Sequence, residues 1–408
     1  MRRFQSIFFG LILFLLAAPL PSILLLKTWP ALTEHEFMAQ LANKRLIGVT
    51  LPTQDVTLSL STWLDASFQQ SVTKWVNENF AGREFAIRWF NQLLWSTCRK
   101  SYMYNESIIA GRDNQLFEKS YLNHYKYLRP PLSERTIKDI VDGITWVKTR
   151  FSEYNVPFLI LITPSRAITL PDTVPAAYRL NLGTPRTSYD IDNIKKKLIA
   201  AGIPVLDGAE LTRSTAKQLP LPPFPKTGTH WTDLAAFHTA EAVLRKLEHL
   251  GTPPLARLQY SDVQFTDTPR FDDADLLHLL NLARPCFDHY AYATISRKAG
   301  IKARQGRLVV VGGSFVGALN RVWEQAEVWR EIDYYFYFKR AIIRHPFNPN
   351  PTPVDVGAID WLKTFGSADA VILEINESSM NSGHIRAFLK ATLKGLPEPS
   401  PTLKFTSY

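Results

Sequence analysis

The sequence predicts an α/β fold, a largely parallel sheet covered by helices on both faces. Two observations carry that prediction. Short apolar runs bounded by turn residues, Val156–Ile162, Ile203–Leu206, Leu308–Val311 and Ala370–Ile375, have the length and composition of buried strands. Amphipathic helical segments alternate with them, as strands that pair in parallel require.

The elements follow in chain order. Arg2 and Arg3 precede Ile7–Leu26, a stretch without a charge that ends at Lys27. Its length suits a helix crossing a bilayer, and the basic residues before it place the rest of the chain outside the cytoplasm. Residues 1–28 therefore read as a signal anchor or transmembrane helix. Pro19 and Pro21 leave a cleaved signal peptide with its apolar region at Ile7–Ala18 as the alternative.

Residues 29–105 read as a helical lead-in, with Trp63, Phe68, Val72, Trp75, Val76 and Phe80 followed by Phe85, Ile87, Phe90, Leu93 and Leu94, and a break at Gly82. A strand-like run at Ser107–Ala110 and a turn at Gly111–Asn114 open the segment 106–395, which reads as one domain. Ser133 is a candidate N-cap for a helix carrying Ile137, Ile140, Ile144, Val147 and Phe151. Pro157 is tolerable near the start of the strand that follows. Tyr189–Ala201 is a helix closed by Gly202, and Thr232 or Asp233 opens another to Leu250, its inward stripe being Ala236, Ala240, Val243, Leu244 and Leu247. Lys195, Lys196 and Lys197 form its neighbour's solvated face. Tyr334–Phe338 reads as a buried β-prone run rather than a sugar-stacking platform. Pro346–Pro353 is a loop, and residues 396–408 are a polar, Pro-rich tail.

With 408 residues, 46% hydrophobic and only two cysteines, the chain is neither disordered nor a disulfide scaffold. Lys and Arg number 47 against 37 Asp and Glu, a net +10 that implies a polyanionic partner. Placement outside the cytoplasm, in a bacterial periplasm, turns that expectation from nucleic acid toward acidic polysaccharide or anionic lipid. Cys98 and Cys286 are either one disulfide or two unpaired buried thiols; spacing does not decide.

Val309-Val310-Val311-Gly312-Gly313-Ser314-Phe315 is a strand ending in a glycine turn, which delivers a serine to the carboxyl edge of the sheet, where open α/β sheets place their sites. Ser314 is there either an N-cap or a nucleophile whose turn supplies oxyanion N–H groups from Gly313 onward. His230, in Thr227-Gly228-Thr229-His230-Trp231-Thr232-Asp233, stands before a helix start and after a Pro-rich loop, so it projects toward a cleft as the candidate base. The remaining histidines show no metal-ligand spacing, and no phosphate-cradling loop is present, so no cofactor is expected.

At these two elements the chain resembles the alginate O-acetyltransferase family, the AlgJ/AlgX-like proteins with a permuted SGNH-hydrolase-like domain, which carry Asp-Thr-His-Trp-Thr and later Gly-Asp-Ser-Phe. Gly111–Phe117, Thr163–Ala167 with Pro171, Asp275-Leu276-Leu277 and Ile372–Glu377 match further family stretches in order. The resemblance implies a three-layer α/β/α domain and acetyl transfer through an acetyl-serine on Ser314, with His230 as base. It also implies an acidic exopolysaccharide as acceptor, and a membrane protein that supplies acetyl groups within an exopolysaccharide biosynthesis complex at the inner membrane.

In the family, the basic residue at Arg166 lies at the sheet edge, where it would bind a uronic-acid carboxylate; a surface arginine is the alternative. Gly228 stands where the family has the aspartate that orients the histidine, and Gly313 where it has the aspartate of Gly-Asp-Ser. Asp233 and Asp275 are the candidate substitutes, Asp233 also being suited to its own helix N-terminus. Competing readings are a catalytically degenerate polysaccharide-binding or scaffolding member, and an esterase that releases acyl groups to water.

Overall fold

The computed structural model describes residues 9–10, 46–48, 57–79, 82–100, 107–125, 132–179, 190–300, 302–343, 352–379 and 382–397. The expected membrane anchor lies almost wholly outside them. Among the described residues, no helix is long and apolar enough to cross a membrane.

The chain divides into two compact units, one of residues 1–108 and 276–286, the other of residues 109–275 and 287–408. In the first unit, helices α1 (Leu60–Leu64), α2 (Ser67–Asn79) and α3 (Arg83–Cys98) form the lead-in. The expected break falls at Gly82, whose φ of 100° suits a residue without Cβ. Buried Asn91 donates to the Leu280 carbonyl at 3.0 Å. Cys98 and Cys286 are both exposed and not disulfide-bonded.

The second unit contains the sheet. A short pair, β1 (Ile108–Ala110) and β2 (Leu116–Glu118), leads into α4 (Lys119–Tyr125) and α5 (Glu134–Glu153). Ser133 caps α5 by accepting from Thr136 N. Then come β3 (Phe158–Thr163), α6 (Arg166–Thr169), α7 (Ala176–Arg179), α8 (Asp190–Ala200), β4 (Val205–Asp207), α9 (Gly208–Thr215) and α10 (Asp233–His249). A hairpin of β5 (Leu258–Thr266) and β6 (Tyr290–Arg297) encloses α11 (Asp275–Leu279). The chain continues through β7 (Arg307–Gly312), α12 (Val316–Gln325), β8 (Glu331–Phe336), β9 (Arg340–Ile343), β10 (Thr352–Pro353), β11 (Ala370–Asn376) and α13 (Gly383–Gly395).

Seven strands form the main sheet in the order β10-β9-β8-β7-β11-β3-β4. Five are parallel; β9 and β10 add an antiparallel edge. Pro353, expected in a loop, closes the two-residue edge strand β10, a position where a missing N–H is tolerated.

Alternation along each strand separates two cores. Ile160, Val309, Val311, Val371 and Leu373 point toward α5, α8 and α13, while Leu159, Leu161, Leu308, Val310 and Ile372 point toward α10 and α12. The result is the expected three-layer α/β/α arrangement.

Candidate active site

β3, β7 and β11 end side by side, so the residues following them share one edge. Ser314 follows Gly312, the last residue of β7. Gly312 has no room for a side chain, and Gly313 has room for one only if Tyr337 gives way slightly. A Cβ on Gly312 would approach Glu374 Cβ to 2.7 Å, and one on Gly313 would lie 3.1–3.2 Å from the Tyr337 ring. Ser314 does not cap α12, whose N-cap is Phe315. It is half-buried between buried neighbours, and its Oγ lies 3.4 Å from the Tyr337 hydroxyl.

The turn is held from beneath. Buried Glu374 on β11 accepts from Gly313 N at 2.7 Å and from Thr163 Oγ1 at the end of β3. Burial is the main influence on this carboxyl and raises its pKa; the two hydrogen bonds and nearby His230 oppose the rise. The Gly313 carbonyl in turn accepts from Tyr334 Oη. Gly313 is therefore not the oxyanion donor the sequence suggested, since its N–H is bound to Glu374.

His230 arrives on the loop between Pro220 and α10. Trp231 beside it is fully buried and donates Nε1–H to the Phe315 carbonyl at 2.9 Å. The imidazole lies 5.1 Å, centroid to centroid, from the Phe315 ring. These two contacts bring the histidine element against the serine element. Among the described residues, neither ring nitrogen of His230 makes a well-directed hydrogen bond.

The carboxylate nearest the histidine is Asp275. Its Oδ2 lies 3.2 Å from His230 Nδ1, and its Oδ1 accepts from Thr229 N at 2.8 Å. Gly228 is what lets it approach: a Cβ there would lie 2.6 Å from the Asp273 carbonyl oxygen and 2.7 Å from that of Asp272. The segment 272–275 thus occupies the space an aspartate at 228 would need. Thr227 Oγ1 ties the two segments together by donating to the Asp273 carbonyl at 2.8 Å. The other candidate acid, Asp233, faces elsewhere and pairs with Arg321 at 2.8 Å. It does not meet the histidine.

Arg166 is also placed differently from the expectation of a substrate-binding arginine. It is 3% exposed, and its guanidinium donates to the carbonyls of Leu116 (2.6 Å), Lys226 (3.2 Å), Pro225 and Gly228 and to Gln115 Oε1 (3.3 Å). Burial pushes its pKa down to about 9, against the pull of Asp275 and Asp288. Such a residue braces the loop that carries His230, and its charge does not face solvent.

Sequence reasoning did not single out Tyr337, Thr163 or the half-buried Tyr121, whose ring lies 6.1 Å from that of Phe315. Burial raises the Tyr121 phenol pKa, followed in order by Tyr337, Glu118, Glu374 and Asp275. The pair of glycines where the family has Gly-Asp was the available signal that another side chain fills the space.

Among solved structures, the O-acetyltransferase domain of Pseudomonas putida AlgJ aligns at 15% identity and TM-score 0.42, over 67% of this chain and 92% of that one. Pseudomonas aeruginosa AlgX aligns at 14% and 0.40, over 66% of this chain and 61% of its own. Bacillus cereus PatB1 aligns at 12% and 0.40, over 68% and 98%. No curated protein sequence matches. The sequence profile of the family described as SGNH hydrolase-like domain, acetyltransferase AlgX, matches residues 108–316, half of the chain. His230, Asp275 and Ser314 all lie inside that segment, on a mostly parallel sheet of the SGNH-hydrolase-like kind, and by this match the chain belongs to the acetyltransferase AlgX family.

Proposed function

We propose that the protein is an O-acetyltransferase working through an acetyl-serine on Ser314, with His230 as general base and Asp275 as the group that orients it. The observation that carries this reading is the Asp275 carboxylate beside His230 Nδ1, in the space that Gly228 leaves open. A carboxylate there favours the proton on Nδ1 and leaves Nε2 to take the serine proton. The degenerate alternative rested on the absence of such an acid.

The acceptor in this proposal is a hydroxyl of an exopolysaccharide of the alginate type, to which a chain of net charge +10 is suited. The body works in the bacterial periplasm, held at the inner membrane by Ile7–Leu26. It receives acetyl groups from a membrane acetyl-donor transfer protein within an exopolysaccharide biosynthesis complex. Family membership and the names of the AlgJ and AlgX neighbours support these assignments.

The test is turnover of a chromogenic acetyl ester by the purified protein, with and without acidic oligosaccharide, beside Ser314→Ala. Serine-dependent release that oligosaccharide accelerates, with acetyl appearing on the sugar, is expected. Release indifferent to oligosaccharide would favour an esterase, and equal turnover by Ser314→Ala would remove both enzymatic readings.

A further inference from the structure

An acyl transfer at Ser314 places negative charge on the carbonyl oxygen, and that oxygen needs a fixed donor. Gly313 N is bound to Glu374. Beside the N–H groups of the turn itself, a side chain on a different element offers one: the Tyr337 hydroxyl lies 3.4 Å from Ser314 Oγ.

Three further observations mark Tyr337. Its φ is 49°, with Phe338 following at 52°; two successive aromatic residues in the left-handed region are strained, and strain of this kind persists where the surroundings enforce it. The enforcing contact is the nucleophile turn itself, since Tyr337 N donates to the Gly312 carbonyl at 2.8 Å. The ring is also fixed edge-on, 4.6 Å from Phe336 and 5.6 Å from His384 between centroids. It occupies the room that a side chain at Gly313 would otherwise restrict. Tyr337 lies beyond the segment matched by the family profile.

We infer that Tyr337 is a catalytic residue: its phenolic O–H donates to the carbonyl oxygen of the acyl group as Ser314 adds. This rests on Ser314 being the nucleophile. In the step, Ser314 Oγ bonds to the acyl carbon while its proton passes to His230 Nε2, and the C=O π pair moves onto the oxygen that Tyr337 hydrogen-bonds without losing its proton. When that pair returns, the bond to the donor's leaving group breaks and the leaving group takes the proton from His230. A sugar hydroxyl then reverses the sequence, yielding its proton to His230 and releasing Ser314.

Tyr337→Phe keeps the ring and removes the donor. With a chromogenic acetyl ester, kcat should fall about 10²-fold, the scale for one lost oxyanion donor, while KM and Tm stay close to wild type. Labelling of Ser314 by a fluorophosphonate should slow in parallel. Gly313→Ala provides a second route, because its methyl would displace the Tyr337 hydroxyl by a few tenths of an ångström with both functional residues intact. It too should lower kcat more than it raises KM, and it decides the matter if Tyr337→Phe fails to fold. Wild-type kcat in both variants, with Ser314→Ala inactive, overturns the role of Tyr337 alone. Wild-type turnover by Ser314→Ala overturns the nucleophile and, with it, this inference.

Discussion

An imidazole can take a proton from serine only through a nitrogen that is free and correctly aimed. In the proposed mechanism Asp275, 3.2 Å from Nδ1, supplies that aim. Asp275→Ala should lower kcat/KM toward the acetyl ester by about 10²- to 10⁴-fold, bounded above by the cost of spoiling the aspartate in the serine proteases, with little change in Tm. Activity within twofold of wild type would remove Asp275 from the mechanism. Asp233 provides the contrast. It holds Arg321, and both side chains are nearly buried, so Asp233→Ala should reduce stability to urea by about 2–4 kcal/mol through the uncompensated guanidinium. Both acids were legible as candidates. Choosing between them was not possible from sequence, because the choice depends on the closeness of residue 228 to the 272–275 backbone, a contact that leaves no local pattern. Arg166 was misread for a related reason: a basic residue at a sheet edge looks alike in sequence whether it faces substrate or braces a loop.

At the level of elements, the segment 272–275 and the loop 225–231 form one assembly. Restoring the family's aspartate by Gly228→Asp should therefore lower activity, since its Cβ would collide with two carbonyl oxygens and displace Asp275; a gain in kcat would show that the segment yields. The carboxyl of Asp273, within this segment, accepts from Tyr292 Oη. Burial raises its pKa from 3.8 to about 6. The folded state thus keeps a proton that the unfolded chain has released between those values, so this contribution to stability is present at acid pH and lost as pH rises through 6. Asp273→Asn keeps the acceptor without the charge. Relative to wild type it should gain up to about 3 kcal/mol between pH 4 and pH 8, and urea unfolding at the two pH values with an unchanged difference would refute the assignment. Trp231 joins this assembly to the serine turn. Trp231→Phe should reduce stability by about 1 kcal/mol for the lost hydrogen bond and lower kcat as His230 loosens, read from urea unfolding and ester turnover.

For the molecule as a whole, the buried parallel strands β3, β7 and β11 were plain in the sequence because apolar runs of that length have few alternatives. The β5–β6 hairpin and the antiparallel β9 and β10 were missed. β5 has one buried residue in nine, the others being half or fully exposed, which leaves little for a pattern argument to grip. Tyr334–Phe338 was read correctly in large part: Tyr334, Tyr335 and Phe338 are core, whereas the run leaves the strand after Phe336 and Tyr337 turns toward Ser314.

β11, the last strand in chain order among the described residues, lies between β7 and β3 within the sheet. A chain shortened before Ala370 would split the sheet, leaving β7 paired only with β8 and β3 only with β4, and should show no cooperative thermal transition; one that melts cooperatively would contradict this dependence. The same placement sets an order in time. Glu374, which holds the serine turn, is delivered on that late strand, so a growing chain carries His230 and Ser314 without the carboxylate that supports the turn until β11 has been made and closes the sheet.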